Sequence, residues 1–198
     1  MHKKIEIDWE KFLAGDRDSF QNIYNANFKN LFLYALRFSK DEETIKDVIH
    51  NVFINFWEKR ASIKNEKNLL VYLLRSTRNE LLNLKRQHNK YQHSNLEEDT
   101  YSFSFELPVE ANIIEKEVLK ENRNRLNLAF AHLTDRQKEI LYLKYVKGLS
   151  FEEIAQTIGI TLKASYKLHA RAIQSIRNNF GNAGYSIAFL ICLYFTEA

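Results

Sequence analysis

The sequence predicts an all-α protein, with an N-terminal helical bundle followed by a small C-terminal domain built on a helix-turn-helix. Three observations predict it. Apolar residues recur at intervals of three and four over most of the chain, the period of a helix with one buried face. Five glycines and one proline are too few for the turns of a β fold. Two pairs of residues, Thr134 with Gln137 and Ser150 with Glu153, have the spacing of capping boxes, in which each side chain satisfies a free backbone N–H at the other's end of the first turn.

Taken in order, Asp16 caps a helix predicted to run to about Ser39, with Phe20, Tyr24, Phe28, Leu31, Ala35 and Phe38 as its buried stripe. A second helix opens near Asp41. Ile45, Val48, Ile49, Val52, Phe53, Phe56 and Trp57 form a wide apolar face, opposite Glu43, Lys46, Asp47, His50 and Glu58. A third begins near Glu66 and carries Tyr72, Leu73, Leu74, Leu81, Leu82 and Leu84 into Lys85-Arg86. These helices make one domain, residues 8–90, long enough to enclose a core. Residues 91–108 mix aromatics with acids without a helical period and read as a linker ending at Pro108, a first-turn residue of the next helix. A charged helix from Val109 to about Leu133 then leads into the helix-turn-helix, giving a domain over 109–179.

In that domain Gly148 and Gly159 stop helices, and Ala155 is small where two helices must cross closely. The helix after Thr161 carries Lys163, Lys167, Arg171 and Arg177, with no acidic residue as far as Phe180. A basic helix after a tight turn is what the major groove of DNA accepts. Lys163, Tyr166, Lys167 and Arg171 project over one broad face, Arg171 and one lysine towards phosphate. Thr161 can cap the helix, offer its hydroxyl and N–H to a phosphate, or do both. Leu162, Leu168, Ile173 and Ile176 are expected in the core.

Charge is segregated along the chain. From Arg60 to His93 there are eight basic residues against two acidic, a net +6, and from Ser94 to Glu121 two lysines against eight acidic, a net −6. Two basic segments with an acidic spacer between them suggest two contacts with a polyanion. The single cysteine, Cys192, cannot form an internal disulfide, and Met1 to Glu6 lack the apolar run of a signal peptide, so a cytoplasmic location is expected. Within the apolar tail of residues 180–198, Tyr185 to Phe195 is short for a bilayer span and reads as a packed or partner-binding segment in preference to a weak membrane contact.

With these elements in place, the chain resembles bacterial sigma factors of the sigma-70 class, specifically the extracytoplasmic-function group that keeps only regions two and four. The resemblance covers roughly Asp16 to Asn179. The helix Asp47-Val48-Ile49-His50-Asn51-Val52-Phe53-Ile54-Asn55-Phe56-Trp57 resembles the region-two element that grips core RNA polymerase. Tyr72-Leu73-Leu74-Arg75-Ser76-Thr77-Arg78-Asn79 with Arg86 resembles the segment that holds the melted −10 element. Leu133-Thr134-Asp135-Arg136-Gln137 through Gly148-Leu149-Ser150 and Glu153-Ile154-Ala155 to Arg171-Ala172 resembles region four, which reads the −35 duplex. The chain departs from the family pattern at His50-Asn51, at Ala164 and at Ser165, where an apolar residue is usual, so packing around Ser165 is expected to differ.

The resemblance implies a transcription initiation factor that binds core RNA polymerase and directs it to promoters, and it makes an anti-sigma factor an expected partner. Asp47, His50 and Asn51 would meet the polymerase. Tyr72, Arg75, Arg78, Asn79, Asn83, Lys85 and Arg86 would hold the open strand, with cations on phosphates and amides or rings on unpaired bases. Tyr72 lies in an apolar run, which favours the core over a stacking platform. Thr161, Lys163, Tyr166, Lys167 and Arg171 would meet the −35 duplex. The alternative is a conventional helix-turn-helix regulator whose N-terminal bundle dimerises or senses a ligand. Such a reader needs no second basic surface between Asp41 and Arg86. An enzyme is not expected. The histidines are scattered, no acidic cluster has metal-ligand spacing, and no phosphate loop or nucleophile motif occurs, so neither cofactor nor small-molecule substrate is implied.

Overall fold

The computed structural model describes residues 8–63, 68–91, 102–104, 128 and 130–180. The described residues form helices and connecting turns, in two units divided between Tyr101 and Ser102. The apolar tail, most of the linker and most of the charged helix expected before Leu133 lie outside the described residues.

The N-terminal unit opens with a short helix that periodicity did not predict, α1 (Trp9–Leu13), capped by Asp8, which accepts from Lys11 N at 3.1 Å. Gly15, at φ +92°, takes the left-handed turn that releases the chain into α2 (Arg17–Ala35). Asp16 caps α2 by accepting from Ser19 N at 2.8 Å. After Ala35 the ladder tightens, with Arg37 N donating to Tyr34 O and Phe38 N to Ala35 O, so the helix ends short of Ser39. Asp41 caps α3 (Glu42–Glu58) through Glu43 N and Thr44 N. A 3₁₀ turn (Arg60–Ser62) follows, and α4 runs Leu69–Tyr91, three residues later than expected.

Helices α2, α3 and α4 pack against one another around Ile23, Leu31, Ile45, Ile49, Leu73 and Leu74, all fully buried. The predicted stripe holds at Leu31, Ala35 and Phe38, which are buried, but not over the first half of α2. Ile23, Asn27, Leu31 and Tyr34 are buried, whereas Phe20, Tyr24 and Phe28 are half-buried beside them. The reason is that α2 meets α1, α3 and α4 at once, so the covered arc is wider than one neighbour would set. A polar residue can lie there because Asn27 Nδ2 donates to Ile23 O at 2.9 Å. Helix α1 closes one end of this core by stacking Phe12 on Phe56, with ring centroids 4.8 Å apart and planes 9° apart. Leu84, expected on the buried face of α4, is exposed.

In the C-terminal unit, α5 (Asp135–Leu141) widens into one π-helical turn (Tyr142–Val146) and is followed by α6 (Phe151–Ile158) and α7 (Leu162–Phe180). Both capping boxes form. Thr134 N donates to Gln137 Oε1 at 2.9 Å, and Ser150 N to Glu153 Oε2 at 2.7 Å, with the reciprocal bonds also made. Gly148 and Gly159 sit at φ +67° and +78°, so both turns use backbone that a side chain would strain. Ile140, Leu141, Leu143, Ile154, Ala172 and Ile176 make the core, and Ala155 is buried as expected. Phe103, inside the segment read as linker, is also buried, with its ring 5.7 Å from that of Tyr142. Among the described residues no helix is long and apolar enough to cross a membrane.

Candidate nucleic-acid interface

Helix α7 divides lengthwise into two faces. Ser165, Ala172 and Ile176 form its fully buried seam, with Leu168, His169 and Ile173 half-buried beside it. Opposite lie Lys163, Tyr166, Lys167 and Arg171, all exposed, as the sequence requires of a groove-facing helix. Thr161 is the N-cap, its hydroxyl accepting from Ala164 N at 3.2 Å. Leu162 is 40% exposed and does not belong to the core as expected. As the first residue of α7 it has no preceding helical turn to cover it.

Ser165 shows how the missing apolar residue is accommodated. It is 0% exposed, and its hydroxyl donates to Leu162 O at 2.7 Å while lying 3.3 Å from Phe151 O, at the start of α6. A satisfied hydroxyl therefore occupies a place where a larger apolar group would hold the helices further apart. Tyr166, 50% exposed, lays its ring 4.3 Å from that of Phe151.

Beneath this face is a cluster that the sequence did not disclose. The Tyr145 hydroxyl and His169 Nε2 are hydrogen-bonded at 3.0 Å, although 24 residues separate them. The Lys144 ammonium sits 4.8 Å from the Phe151 ring centre and donates to Leu149 O at 3.2 Å. Burial, and then the nearby charge of Lys144, holds the His169 pKa below its ordinary value. The cluster ties the π-helical turn to α6 and α7, so it positions the exposed face without being part of it.

Helix α4 of the other unit carries the second basic face. Tyr72, Arg75, Asn79, Asn83 and Arg86 fall at helical spacing on one stripe, and the last four are exposed. Tyr72 heads the stripe half-buried, its ring 5.9 Å from that of Phe56. Arg78 and Lys85 are not brought to this stripe. Arg78 is 7% exposed, Lys85 is half-buried, and both have interaction partners. The resemblance and its charge placed Arg78 with the strand-holding residues, whereas its helical phase directs it to the core side.

On α3, Asp47, His50 and Asn51 are exposed together on the polar face. They share it with Ile54, which is 43% exposed one turn beyond Asn51. Its signal in the sequence is an isoleucine out of phase with the apolar face of its own helix. In the first turn of α3, Glu43 pairs with Lys46 at 2.7 Å, an exposed bond that raises the lysine pKa through the hydrogen bond itself. Among the described residues no group of His, Cys, Asp and Glu could hold a metal ion.

Comparison with known proteins bears on both units. The family model described as Sigma-70 region 2 matches residues 23–91, and that described as Sigma-70, region 4 matches residues 123–176. Together they account for more than half of the chain. The RNA polymerase sigma factor YlaC of Bacillus subtilis is 23% identical over 167 residues, spanning 82% of this chain and 92% of YlaC. Among solved structures, the sigma factor RpoE of Bartonella quintana, in complex with the anti-sigma factor NepR, is 18% identical. Its TM-score is 0.59, with 84% of this chain and 99% of that one covered. CnrH, in complex with the cytosolic domain of CnrY, is 15% identical with a TM-score of 0.53, over 85% of this chain and 91% of that one. At these identities the structures attest the fold.

Proposed function

The chain belongs to the sigma-70 family of promoter-directing transcription initiation factors, in its extracytoplasmic-function group, and we propose that three helical faces divide the work. The α3 stripe of Asp47, His50, Asn51 and Ile54 docks on core RNA polymerase. The α4 stripe of Arg75, Asn79, Asn83 and Arg86 holds the melted −10 strand, with Asn79 bonding to an unpaired base and Tyr72 at the edge of the stripe. The α7 face of Lys163, Tyr166, Lys167 and Arg171 enters the −35 major groove, where Thr161 presents the helix N-terminus to a phosphate. Arg78 supports α4 from inside the bundle and Lys85 flanks the stripe.

The observation that carries this reading is the separation on α7 of a sealed seam, Ser165, Ala172 and Ile176, from an exposed face bearing cations and no acid. The N-terminal unit supports it with a second exposed polar and cationic stripe, which a dimerisation or sensor bundle does not need. The protein performs no catalysis in this scheme. Strand opening is driven by binding energy in the complex with polymerase, in the cytoplasm where that complex works. An anti-sigma factor that covers the α3 and α7 faces together would silence it, as a partner of the kind held by RpoE.

The test is run-off transcription by core RNA polymerase on genomic fragments, with and without this protein. New discrete start sites are expected, and Asp47→Arg is expected to abolish them while leaving thermal stability unchanged, since Asp47 is exposed. Retained duplex binding with no specific transcripts would instead favour a conventional regulator.

A further inference from the structure

The exposed face of α7 is not uniformly polar. Leu162 is 40% exposed in the first turn and Tyr166, one turn on, is 50% exposed. A lone exposed leucine needs no explanation. Here, however, the two apolar groups lie one helical turn apart, at the end of the helix that enters the groove first. Tyr166 is held in place by its ring contact with Phe151 at 4.3 Å, so the apolar edge has a rigid backing. It is flanked by Thr161, Lys163 and Lys167, which are exposed and suited to phosphates and base acceptors. In the major groove the one apolar group that a base pair offers is the 5-methyl of thymine.

We infer that Leu162 is a specificity-determining residue that packs on the 5-methyl group of a thymine in the −35 element, with Tyr166 closing the contact from one side. The inference rests on the assignment of α7 to the −35 duplex. It adds a sequence-reading contact to a face whose cations chiefly fix position on the backbone. Ser165 contributes indirectly. Its hydroxyl is satisfied by the Leu162 carbonyl at 2.7 Å, which holds the first turn of α7 that presents the leucine.

The experiment uses the full chain assembled with core RNA polymerase. Promoter duplexes with a randomised upstream element are selected by open-complex formation, and the recovered duplex is remade with each thymine of that element replaced, one at a time, by deoxyuridine. This change removes the methyl and keeps every hydrogen-bonding group. At one or two positions the wild-type complex is expected to bind about fourfold more weakly, the value of one buried methyl-sized group. In Leu162→Ala that penalty is expected to vanish at the same positions, because the two changes remove one contact between them. Arg171→Ala and Lys163→Ala are measured in parallel. If they weaken binding while the deoxyuridine penalties are identical in wild type and Leu162→Ala, or absent from both, the role given to Leu162 is wrong and the placement of α7 stands. If they cost nothing, α7 does not read the duplex and both ideas fall.

Discussion

In the N-terminal unit the chain is held by large rings, Phe12 stacked on Phe56 at 4.8 Å with Trp9, Phe20 and Trp57 around them. In the C-terminal unit the buried seam of α7 is made largely of small groups, Ser165 and Ala172, and the turns on either side of α6 are made by Gly148 and Gly159. The contrast separates two design problems. A bundle that offers the outer stripes of α3 and α4 needs depth of burial, and aromatic side chains supply the most area per residue. A helix-turn-helix must fix the angle and height of one helix to within the tolerance of a hydrogen bond. Small residues and satisfied polar groups do that, because they let backbones approach closely.

The contrast is breakable in order of expected effect. Phe56→Ala removes the ring on which Phe12, Trp9 and Tyr72 pack, and is expected to cost about 3–5 kcal/mol. Both tryptophans, Trp9 and Trp57, lie in this unit, so their emission during chemical denaturation reports it selectively. An unchanged midpoint would refute the central place given to the aromatic stack. Gly159→Val forces a branched side chain into φ +78° and is expected to cost about 1–2 kcal/mol, confined to the C-terminal unit. Helical circular dichroism should show the early loss while the tryptophan transition stays put, and a shift in both would mean the units do not unfold separately.

Ser150→Ala breaks one capping box and is expected to cost about 1 kcal/mol. Combined with Glu153→Ala it should cost less than the two single changes added, because the box is one reciprocal device; strict additivity would argue against it. The smallest effect concerns pH. The His169 pKa is depressed by burial and by Lys144, so the folded state prefers the neutral ring. The stability this contributes is complete above the ordinary histidine value and is lost as pH falls through it towards the depressed one, where the slope ends. Denaturation of the C-terminal unit at pH 7.5 and at about pH 5.5 should therefore differ, and His169→Gln should reduce the difference. An identical pH dependence in the variant would show that the ring is not held neutral.

Much of the fold was legible because its determinants are local. Asp16, Asp41, Thr134 and Ser150 each satisfy backbone N–H groups two or three residues ahead, and Gly148 and Gly159 answer to their own φ angles. The exposed cations of α7 were legible for the same reason, since helical phase and the absence of acids are read along one segment. What the linear pattern misjudged depends on neighbours. Leu162 and Leu84 are apolar yet exposed, because no element among the described residues covers that part of their helices, and Arg78 is charged yet buried because its phase turns it inward. Helix α1 was not legible because a five-residue helix has no period to show, and the site that buries Phe12 is made by rings of other helices, Phe20, Phe56 and Trp57. The Tyr145–His169 bond joins residues that only the turn at Gly148 and the packing of α7 bring within 3.0 Å. Where the capped helices start and which segments are basic can be read along the chain, since those depend on interactions within one turn. Which arc of each helix is sealed, and so which residues are left to meet polymerase and DNA, was decided by tertiary packing. Burial is a property of the surface a neighbour covers, and no single segment carries that information.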